Sequence, residues 1–177
     1  LNIYAIIFCR TRRDTQEIAD KLIADGYNAD ALHGDLSQQQ RDMVMKKFRD
    51  RVTRLLVATD VAARGLDVDD LTHVINFGLP DDSAVYTHRS GRTGRAGKTG
   101  ISVAIIHSRE KGKMREIEKR IGKSFERKEV PSAELIIEKQ LYSLADKLEK
   151  VEVDDEAMSK YLPGAVKKHA WLSGEDI

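Results

Sequence analysis

Short apolar runs of strand length alternate with helical patterns from the start of the chain to residue 106. These runs occupy residues 4–8, 54–58, 73–77 and 101–106, and residues 28–32 are a further strand candidate. After the first run, Ile18, Leu22 and Ile23 repeat at helical spacing, and Gly26 follows where a C-terminal cap belongs. Strands that alternate with helices form right-handed crossover units on a parallel sheet. The pattern therefore predicts an α/β fold in which the last three runs are buried strands.

Polar residues follow the ends of three of these strands. Arg10-Thr11-Arg12 follows the first strand, His33-Gly34-Asp35 the second, and Thr59-Asp60 the third. A capping box, Ser37 to Gln40, begins the helix after the second strand. Because ligands of open parallel sheets bind beyond the carboxyl ends of the strands, we expect the functional residues at this edge.

The pattern changes at Pro131, beyond which no strand-like run recurs. A heptad-like apolar seam follows, with spacings of four, three, four and three, made of Ile137, Leu141, Leu144, Leu148 and Val151. The sequence thus predicts one domain over residues 1–130 and a helical extension over residues 131–177. The seam fits a helix packed on its own domain, and it equally fits a partner helix in a second subunit or in another domain.

Composition limits the functional classes. With 177 residues and 41% hydrophobic content, the chain resembles an ordinary globular domain, and no apolar run is long enough for a membrane span. We find no secretory signal and expect a cytoplasmic protein. The single Cys9 lies in an apolar run, which favours a buried structural thiol over a nucleophile, and the scattered histidines predict no metal site.

The net charge of +1 hides an asymmetry along the chain. Residues 86–129 carry 13 Lys/Arg against 5 Asp/Glu, whereas residues 130–160 carry 4 against 8. A basic region followed by an acidic one indicates that the first meets phosphates and the second does not. Two solvated surfaces would give the same counts.

The segment from Tyr86 to Gly97 carries the clearest chemistry. Arg89, Arg92 and Arg95 stand three residues apart among three glycines. Glycines let a backbone approach a ligand closely, and arginines offer planar donors suited to phosphate oxygens, so the segment predicts a polyphosphate clamp. It is not a Walker A loop, because the position that needs the first glycine holds Arg92 and the segment precedes a strand. Phosphate-binding residues without that loop are expected of one lobe in a two-lobe nucleotide enzyme.

Four segments resemble the C-terminal RecA-like domain of DEAD-box RNA helicases, and the resemblance covers roughly residues 1–128. Residues 6–11 resemble motif IV, and residues 32–38 with Arg41 resemble the RNA-contact motif that follows it. Residues 56–67, LVATDVAARGLD, resemble motif V, and residues 88–95, HRSGRTGR, resemble motif VI. The resemblance implies a three-layer fold with a mainly parallel sheet, helices on both faces and a C-terminal helical extension.

The resemblance also implies roles at the nucleotide. Arg92 and Arg95 correspond to the arginine fingers of the family, which reach the γ-phosphate of ATP and stabilise charge in the transition state. Asp67 corresponds to the acid that binds the ribose. His88 and Arg89 correspond to residues that couple the two lobes. ATP with Mg²⁺ is expected to be bound mainly by an N-terminal RecA-like lobe, which is a further expected partner.

For RNA, the resemblance places Gly34, Asp35 and Thr59 against the backbone of one strand, with Thr11 and Arg12 of motif IV nearby. Backbone amides, hydroxyls and a basic side chain suit sugar–phosphate contacts, which carry little sequence information. Because Asp35 cannot attract a phosphate, a ribose hydroxyl or a buttressing role suits it better. Contact with the 2′-hydroxyl would favour RNA over DNA.

Two residues depart from the family pattern. Ser90 stands where motif VI usually has an apolar residue, and Arg10 stands where motif IV often has asparagine. The first departure is expected to loosen local packing and the second to alter the RNA contact.

In the extension, residues 138–141 and 151–155 are similar to bacterial cold-shock-type DEAD-box helicases, some of which dimerise through a helical extension. We therefore expect the second lobe of an ATP-dependent RNA helicase, with a homodimer through the C-terminal helices as a further expectation. Such a fragment alone is expected to be inactive. The alternatives are a lobe of a DNA-directed superfamily 2 helicase and a non-catalytic docking or dimerisation module.

Overall fold

The computed structural model describes residues 3–64, 66, 68, 70–94 and 99–149. The chain divides into two compact units, Leu1–Phe125 and Glu126–Ile177. The domain boundary after residue 130 stays a prediction. Across the described residues, no helix is both long enough and apolar enough to cross a membrane.

The first unit is built on a five-stranded sheet in which every pair of neighbouring strands is parallel. The spatial order is β2-β3-β1-β4-β5. The strands are β1 (Ala5–Cys9), β2 (Ala29–Leu32), β3 (Leu55–Thr59), β4 (His73–Phe77) and β5 (Ile101–Ile105). All five strand candidates of the sequence are strands, so the predicted α/β fold with a parallel sheet is confirmed.

In the described part of the chain, six helices and one short 3-10 helix connect or follow the strands. They are α1 (Arg12–Ala24), α2 (Gln38–Arg49), α3 (Asp60–Ala63), α4 (Ser83–Ser90), the 3-10 helix Ser108–Glu110, α5 (Lys111–Ile121) and α6 (Ala133–Glu149). The predicted capping box is present at Ser37 and Gln40. Gly26 adopts a left-handed φ of 81° just beyond α1, which an L side chain rarely adopts. The sequence pattern did not lead us to predict helices α3, α4 and α5.

Helices cover both faces of the sheet, as predicted. One face packs Ile6, Phe8 and Leu56 against Phe48 of α2 in the largest apolar cluster. The opposite face packs Ile7 and Val57, among others, against α1. Because the central strand β1 contributes to both clusters, all five of its residues are buried.

Strand β5 is less buried than its apolar sequence predicts. Ala104 packs with Tyr86 of α4 and Ile117 of α5. On the other face, Ile101 and Ile105 are 53% and 50% exposed. The expectation of a fully buried strand was wrong, because β5 lies at the sheet edge and no described element covers its second face.

Cys9 is a structural thiol, as its sequence context predicted. It is 1% exposed within the cluster beneath α1, and burial raises the pKa of the thiol to about 11. The thiolate that a nucleophile requires is therefore disfavoured.

The predicted helical extension begins with α6, which carries the described part of the apolar seam. Ile137, Leu141 and Leu144 are 63%, 66% and 53% exposed. The side chain of Leu148, together with Val151, lies outside the described residues, so the full seam stays a prediction.

Position 100 requires a glycine, because the backbone there passes very close to the backbone of Gly94. A Cβ added there would lie 2.9 Å from Gly94 Cα and would also collide with the Gly94 nitrogen and the Thr93 hydroxyl. Gly94 and Thr93 follow α4 in the arginine–glycine segment, so Gly100 holds that segment against the start of β5.

We therefore expect Gly100→Ala to lower the free energy of unfolding by about 1–3 kcal/mol, because a side chain overpacks this contact. Urea unfolding followed by circular dichroism measures the change. The control is Gly112→Ala, since Gly112 lies in α5 with open space around its Cα, and there a stabilisation of about 0.5–1 kcal/mol is expected. If both substitutions changed the free energy of unfolding equally, the close approach at Gly100 would not limit the side chain there.

Candidate functional site

The sheet order brings the predicted RNA-binding residues to one edge. Strands β2, β3 and β1 are neighbours, and their register pairs Leu32 with Ala58 and Cys9 with Thr59. Thr11 and Gly34 each follow their strand by two residues, so Thr59 lies between these two segments. The parallel fold thus gathers three separate parts of the sequence at the carboxyl ends of its strands.

Two of the threonines at this edge are helix caps. The Thr11 hydroxyl accepts a hydrogen bond from the Asp14 amide at 3.0 Å, and the Thr59 hydroxyl accepts one from the Ala62 amide at 3.4 Å. Thr11 is exposed, whereas Thr59 is only 8% exposed beneath the first turn of α3. A threonine hydroxyl that caps a helix by accepting a hydrogen bond still has its own proton to donate.

The remaining edge residues form an exposed polar cluster. Arg12 and Asp35 make an ion pair in which both side chains are more than half exposed. The Asp35 amide donates to His33 Nδ1 at 3.3 Å, so a neutral His33 carries its proton on Nε2, which lies 2.9 Å from Gln16 Oε1. Gly34 stands directly against the Arg12 side chain, since an added Cβ would lie 3.7 Å from Arg12 Cδ.

A buried arginine joins motif VI to the sheet. Arg89 of α4 is 3% exposed, and its guanidinium donates two hydrogen bonds to the Asp60 carboxylate, at 2.7 and 2.6 Å. A third hydrogen bond, at 2.8 Å, goes to Asn76 Oδ1, and the guanidinium carbon lies 4.9 Å from the centre of the Phe8 ring. Arg89 thus makes three hydrogen bonds to residues of its own domain. Its predicted coupling of two lobes stays a prediction.

Asn76 is the residue of this network that sequence analysis missed. It is fully buried in β4, accepts from Arg89, and donates through Nδ2 to the Val103 carbonyl of β5 at 3.3 Å. A signal was available, since Asn76 is the lone amide in the apolar run His73–Phe77, and a buried polar side chain requires a partner. Asp60 was recognised only as part of a strand-end motif.

A cleft of about 410 Å³ lies beside this network. Its lining combines the motif V segment with residues of α4 and the turn after it, and comprises Phe8, Asp60, Val61, Ala63, Arg64, Val85, His88, Arg89 and Arg92. Arg92, just beyond α4, donates from Nη1 to the Leu66 carbonyl, which keeps the half-buried side chain against motif V. The two predicted nucleotide ligands Arg95 and Asp67 lie outside the described residues.

The charges at this cleft suit an anion. Arg64, His88 and Arg92 supply cationic or hydrogen-bonding groups, while the Asp60 carboxylate is already paired with Arg89. In the described part of the chain, no three His, Cys, Asp or Glu residues lie close enough to hold a metal ion. The residues present therefore fit the phosphates of a nucleotide and do not by themselves form a Mg²⁺ site.

The two departures from the family pattern have partners in the structure. The Ser90 hydroxyl lies 3.1 Å from the Ser102 hydroxyl, which lies 2.9 Å from the Tyr86 hydroxyl, so the polar residue joins a hydroxyl chain. Arg10 donates to the Leu79 carbonyl at 2.8 Å and pairs with Glu110. Arg10 therefore ties β1 to the segments that precede α4 and α5, and its expected effect on RNA contact stays a prediction.

We expect Asn76→Leu to lower the free energy of unfolding by about 2–3 kcal/mol, because it leaves a buried guanidinium N–H of Arg89 without its acceptor. Urea unfolding measures the loss. The control is Asn28→Leu at an exposed position, where a change below about 0.5 kcal/mol is expected. A neutral result at Asn76 would show that water or a neighbouring group replaces the amide.

Comparison with known proteins identifies the family. Residues 3–97 match the helicase conserved C-terminal domain, and residues 136–177 match the helical domain of a probable ATP-dependent RNA helicase. The DEAD-box ATP-dependent RNA helicase CshA of Geobacillus kaustophilus is 45% identical over 157 residues, which are 89% of this chain and 33% of that protein. The chain therefore spans about one third of the curated relatives' length.

Solved structures agree with this match. The Escherichia coli DEAD-box protein SrmB, bound to regulator of ribonuclease activity A, is 33% identical with a TM-score of 0.67, over 72% of this chain and 75% of that one. Domain 2 of the DEAD-box helicase Mss116p, bound to an RNA duplex, is 30% identical with a TM-score of 0.66, over 96% and 65%. The chain belongs to the DEAD-box helicases and contains their C-terminal RecA-like domain.

Proposed function

We propose that this chain is the second lobe of an ATP-dependent RNA helicase, which supplies arginine fingers and RNA-backbone contacts for ATP-driven local unwinding. The observation that supports this most directly is the position of Arg92. It stands at a cleft between motif V and α4, and the ion pair of the buried Arg89 with Asp60 fixes α4 beside that cleft.

At the nucleotide, Arg92 and Arg95 would approach the γ-phosphate of ATP that the N-terminal lobe presents. Mg²⁺, held mainly by that lobe, would neutralise phosphate charge. In the proposed closed state, the Arg92 guanidinium leaves the Leu66 carbonyl for an anionic oxygen, because a charged acceptor forms the stronger hydrogen bond. Asp67 would accept from a ribose hydroxyl, and His88, which lines the same cleft, would couple the nucleotide to the RNA edge.

At the RNA, the strand-end residues would hold the sugar–phosphate backbone. The exposed pair of Arg12 and Asp35 contributes little to stability, so Arg12 can exchange its carboxylate partner for a phosphate at small cost. Asp35 would then accept from a 2′-hydroxyl, while Thr11 and the backbone of Gly34 meet the same strand. Thr59 would add its hydroxyl proton. The RNA duplex bound by domain 2 of Mss116p supports this proposal.

Closure of two lobes around ATP and RNA would complete both sites together. Each lobe alone then has half of the catalytic groups, so hydrolysis depends on RNA bringing the lobes together. The contacts at the RNA edge are to the backbone, and this favours unwinding that does not depend on base sequence.

We expect Arg92→Ala in the full-length enzyme to lower kcat of RNA-stimulated ATP hydrolysis by roughly a thousandfold, because an arginine finger acts chiefly in the transition state. Steady-state ATPase assays with RNA measure it, and the apparent affinity for RNA should change little. The matched control is Arg109→Ala, an exposed arginine of the 3-10 helix, which should keep full activity.

The 177-residue chain alone should show no RNA-stimulated ATPase. Substantial hydrolysis by it, abolished by Arg92→Ala, would contradict the division of the site between two lobes. Stimulation of the full-length enzyme by DNA instead of RNA would favour a DNA-directed helicase.

A second proposed role, self-association, rests on α6. Its seam residues Ile137, Leu141 and Leu144 are all more than half exposed, and a helix with an exposed apolar seam is stabilised by a partner helix. We propose that two copies of the chain pair through this seam to form a homodimer.

Light scattering tests the pairing. Leu144→Asp should shift the measured mass from dimer to monomer, because it places a charge in the apolar seam. Ser143→Asp adds the same charge to the neighbouring exposed residue of α6 and should leave the mass unchanged. A monomer at high concentration, before and after Leu144→Asp, would rule the homodimer out.

A further inference from the structure

Helix α5 carries a row of cations that the proposed ATP and RNA sites do not use. Lys111, Arg115 and Lys119 follow one another at four-residue spacing. Four residues rotate a helix by about 40° beyond one full turn and advance it by about 6 Å, so the three side chains form one stripe about 12 Å long. All three are exposed.

The stripe points to solvent because the other side of α5 is in the core. Ile117 is buried with Tyr86 and Leu79, and Met114 and Ile121 pack at the same cluster. Ile117 lies nearly opposite Arg115 and Lys119 in the helical period, and Lys111 is exposed in the first turn.

The three cations have no acidic partner among the described residues. Two other cations nearby are paired, since Lys113 contacts Asp81 and Arg10 contacts Glu110. The carboxylate of Glu118, on α5 itself, accepts from the Phe125 amide at 2.8 Å. An unpaired row of like charges stabilises nothing in the folded domain, and repulsion between neighbours at this spacing weakens the helix.

The stripe also begins beside the proposed RNA edge. Arg10 precedes Thr11 at the end of β1 and pairs with Glu110, which immediately precedes Lys111 at the start of α5. A nucleic-acid strand that crosses the motif IV segment thus comes directly to the first cation of the stripe.

We infer that Lys111, Arg115 and Lys119 form a second RNA-backbone surface, which extends the strand-end site along the outer side of α5. This inference rests on the proposed RNA-binding function of the strand-end edge. The contacts are to phosphates, so the surface raises affinity without adding base specificity.

Salt-dependent binding tests the inference. The 177-residue chain and its variants are titrated onto a fluorescently labelled RNA duplex with a single-stranded overhang, by anisotropy at several KCl concentrations. Because each lost phosphate contact removes about 0.7–0.9 from the slope of log K against log[KCl], the triple variant Lys111→Gln/Arg115→Gln/Lys119→Gln should lower the slope by roughly two units.

Two control variants fix the interpretation. Three exposed cations on α1 and α2, without ion pairs among the described residues, are neutralised together as Lys21→Gln/Lys46→Gln/Arg49→Gln, and the slope should stay unchanged. The charge-preserving Lys111→Arg/Lys119→Arg should bind like the unaltered chain. Unchanged thermal unfolding confirms that each variant is folded.

A fourth variant separates this inference from the function on which it rests. Arg12→Gln lies at the strand-end edge, and it should weaken binding whether or not α5 takes part. If Arg12→Gln weakens binding and the α5 variant keeps the slope, the α5 surface is refuted and the strand-end site stands. If only the α5 variant weakens binding, the strand-end proposal fails instead.

Should the α5 variant keep its RNA slope but lose binding to polyglutamate, the stripe serves an acidic protein partner and the RNA surface is overturned.

Discussion

The buried guanidinium of Arg89 is the interaction on which the arrangement of the site depends. One side chain connects α4 to Asp60 at the start of α3 and to Asn76 in β4, and its charge lies over the Phe8 ring of β1. Removing Asp60 or Asn76 costs stability, because the buried guanidinium then keeps its charge in a poorly solvated place with fewer partners. The network therefore stabilises one placement of α4, and with it the placement of the cleft.

The sheet order is the second constraint, because it decides which sequence motifs become neighbours. With β1 at the centre, the segments that follow β2, β3 and β1 meet at one edge of the sheet. The segment after β3 and helix α4, which follows β4, line the cleft. The residues that end the strands also begin the helices, since Thr11 and Thr59 cap α1 and α3. A substitution there would affect folding and ligand contact together.

Much of this was predictable from the sequence. Each strand candidate became a strand, and at the central strand β1 the reason is clear, because five consecutive apolar residues bury both faces of a central parallel strand. The same logic failed at β5, where the pattern of Ile101 to Ile105 cannot reveal that the strand lies at the edge. Helix α4 was missed because its residues Ser83–Ser90 are mostly polar, and the fold of its neighbours, not its own periodicity, makes it a helix. Asn76 escaped notice because burial of its amide depends on a partner thirteen residues away in the sequence.

Two arginines of motif VI, Arg89 and Arg92, show how regular spacing in sequence conceals unequal surroundings in the structure. Arg89 and Arg92 differ by three residues, and within one continuous helix they would share a face. Helix α4 instead ends at Ser90, with Gly91 as its cap. Arg89 thus remains on the inward face of the helix, where it donates hydrogen bonds to Asp60 and Asn76.

Arg92 lies beyond the end of the helix, where a backbone carbonyl is its described acceptor. A carbonyl is a weaker partner for a guanidinium than a carboxylate or a phosphate. In the proposed site, Arg92 would therefore be the one of these two arginines that exchanges its partner for a ligand, while Arg89 holds α4 in place.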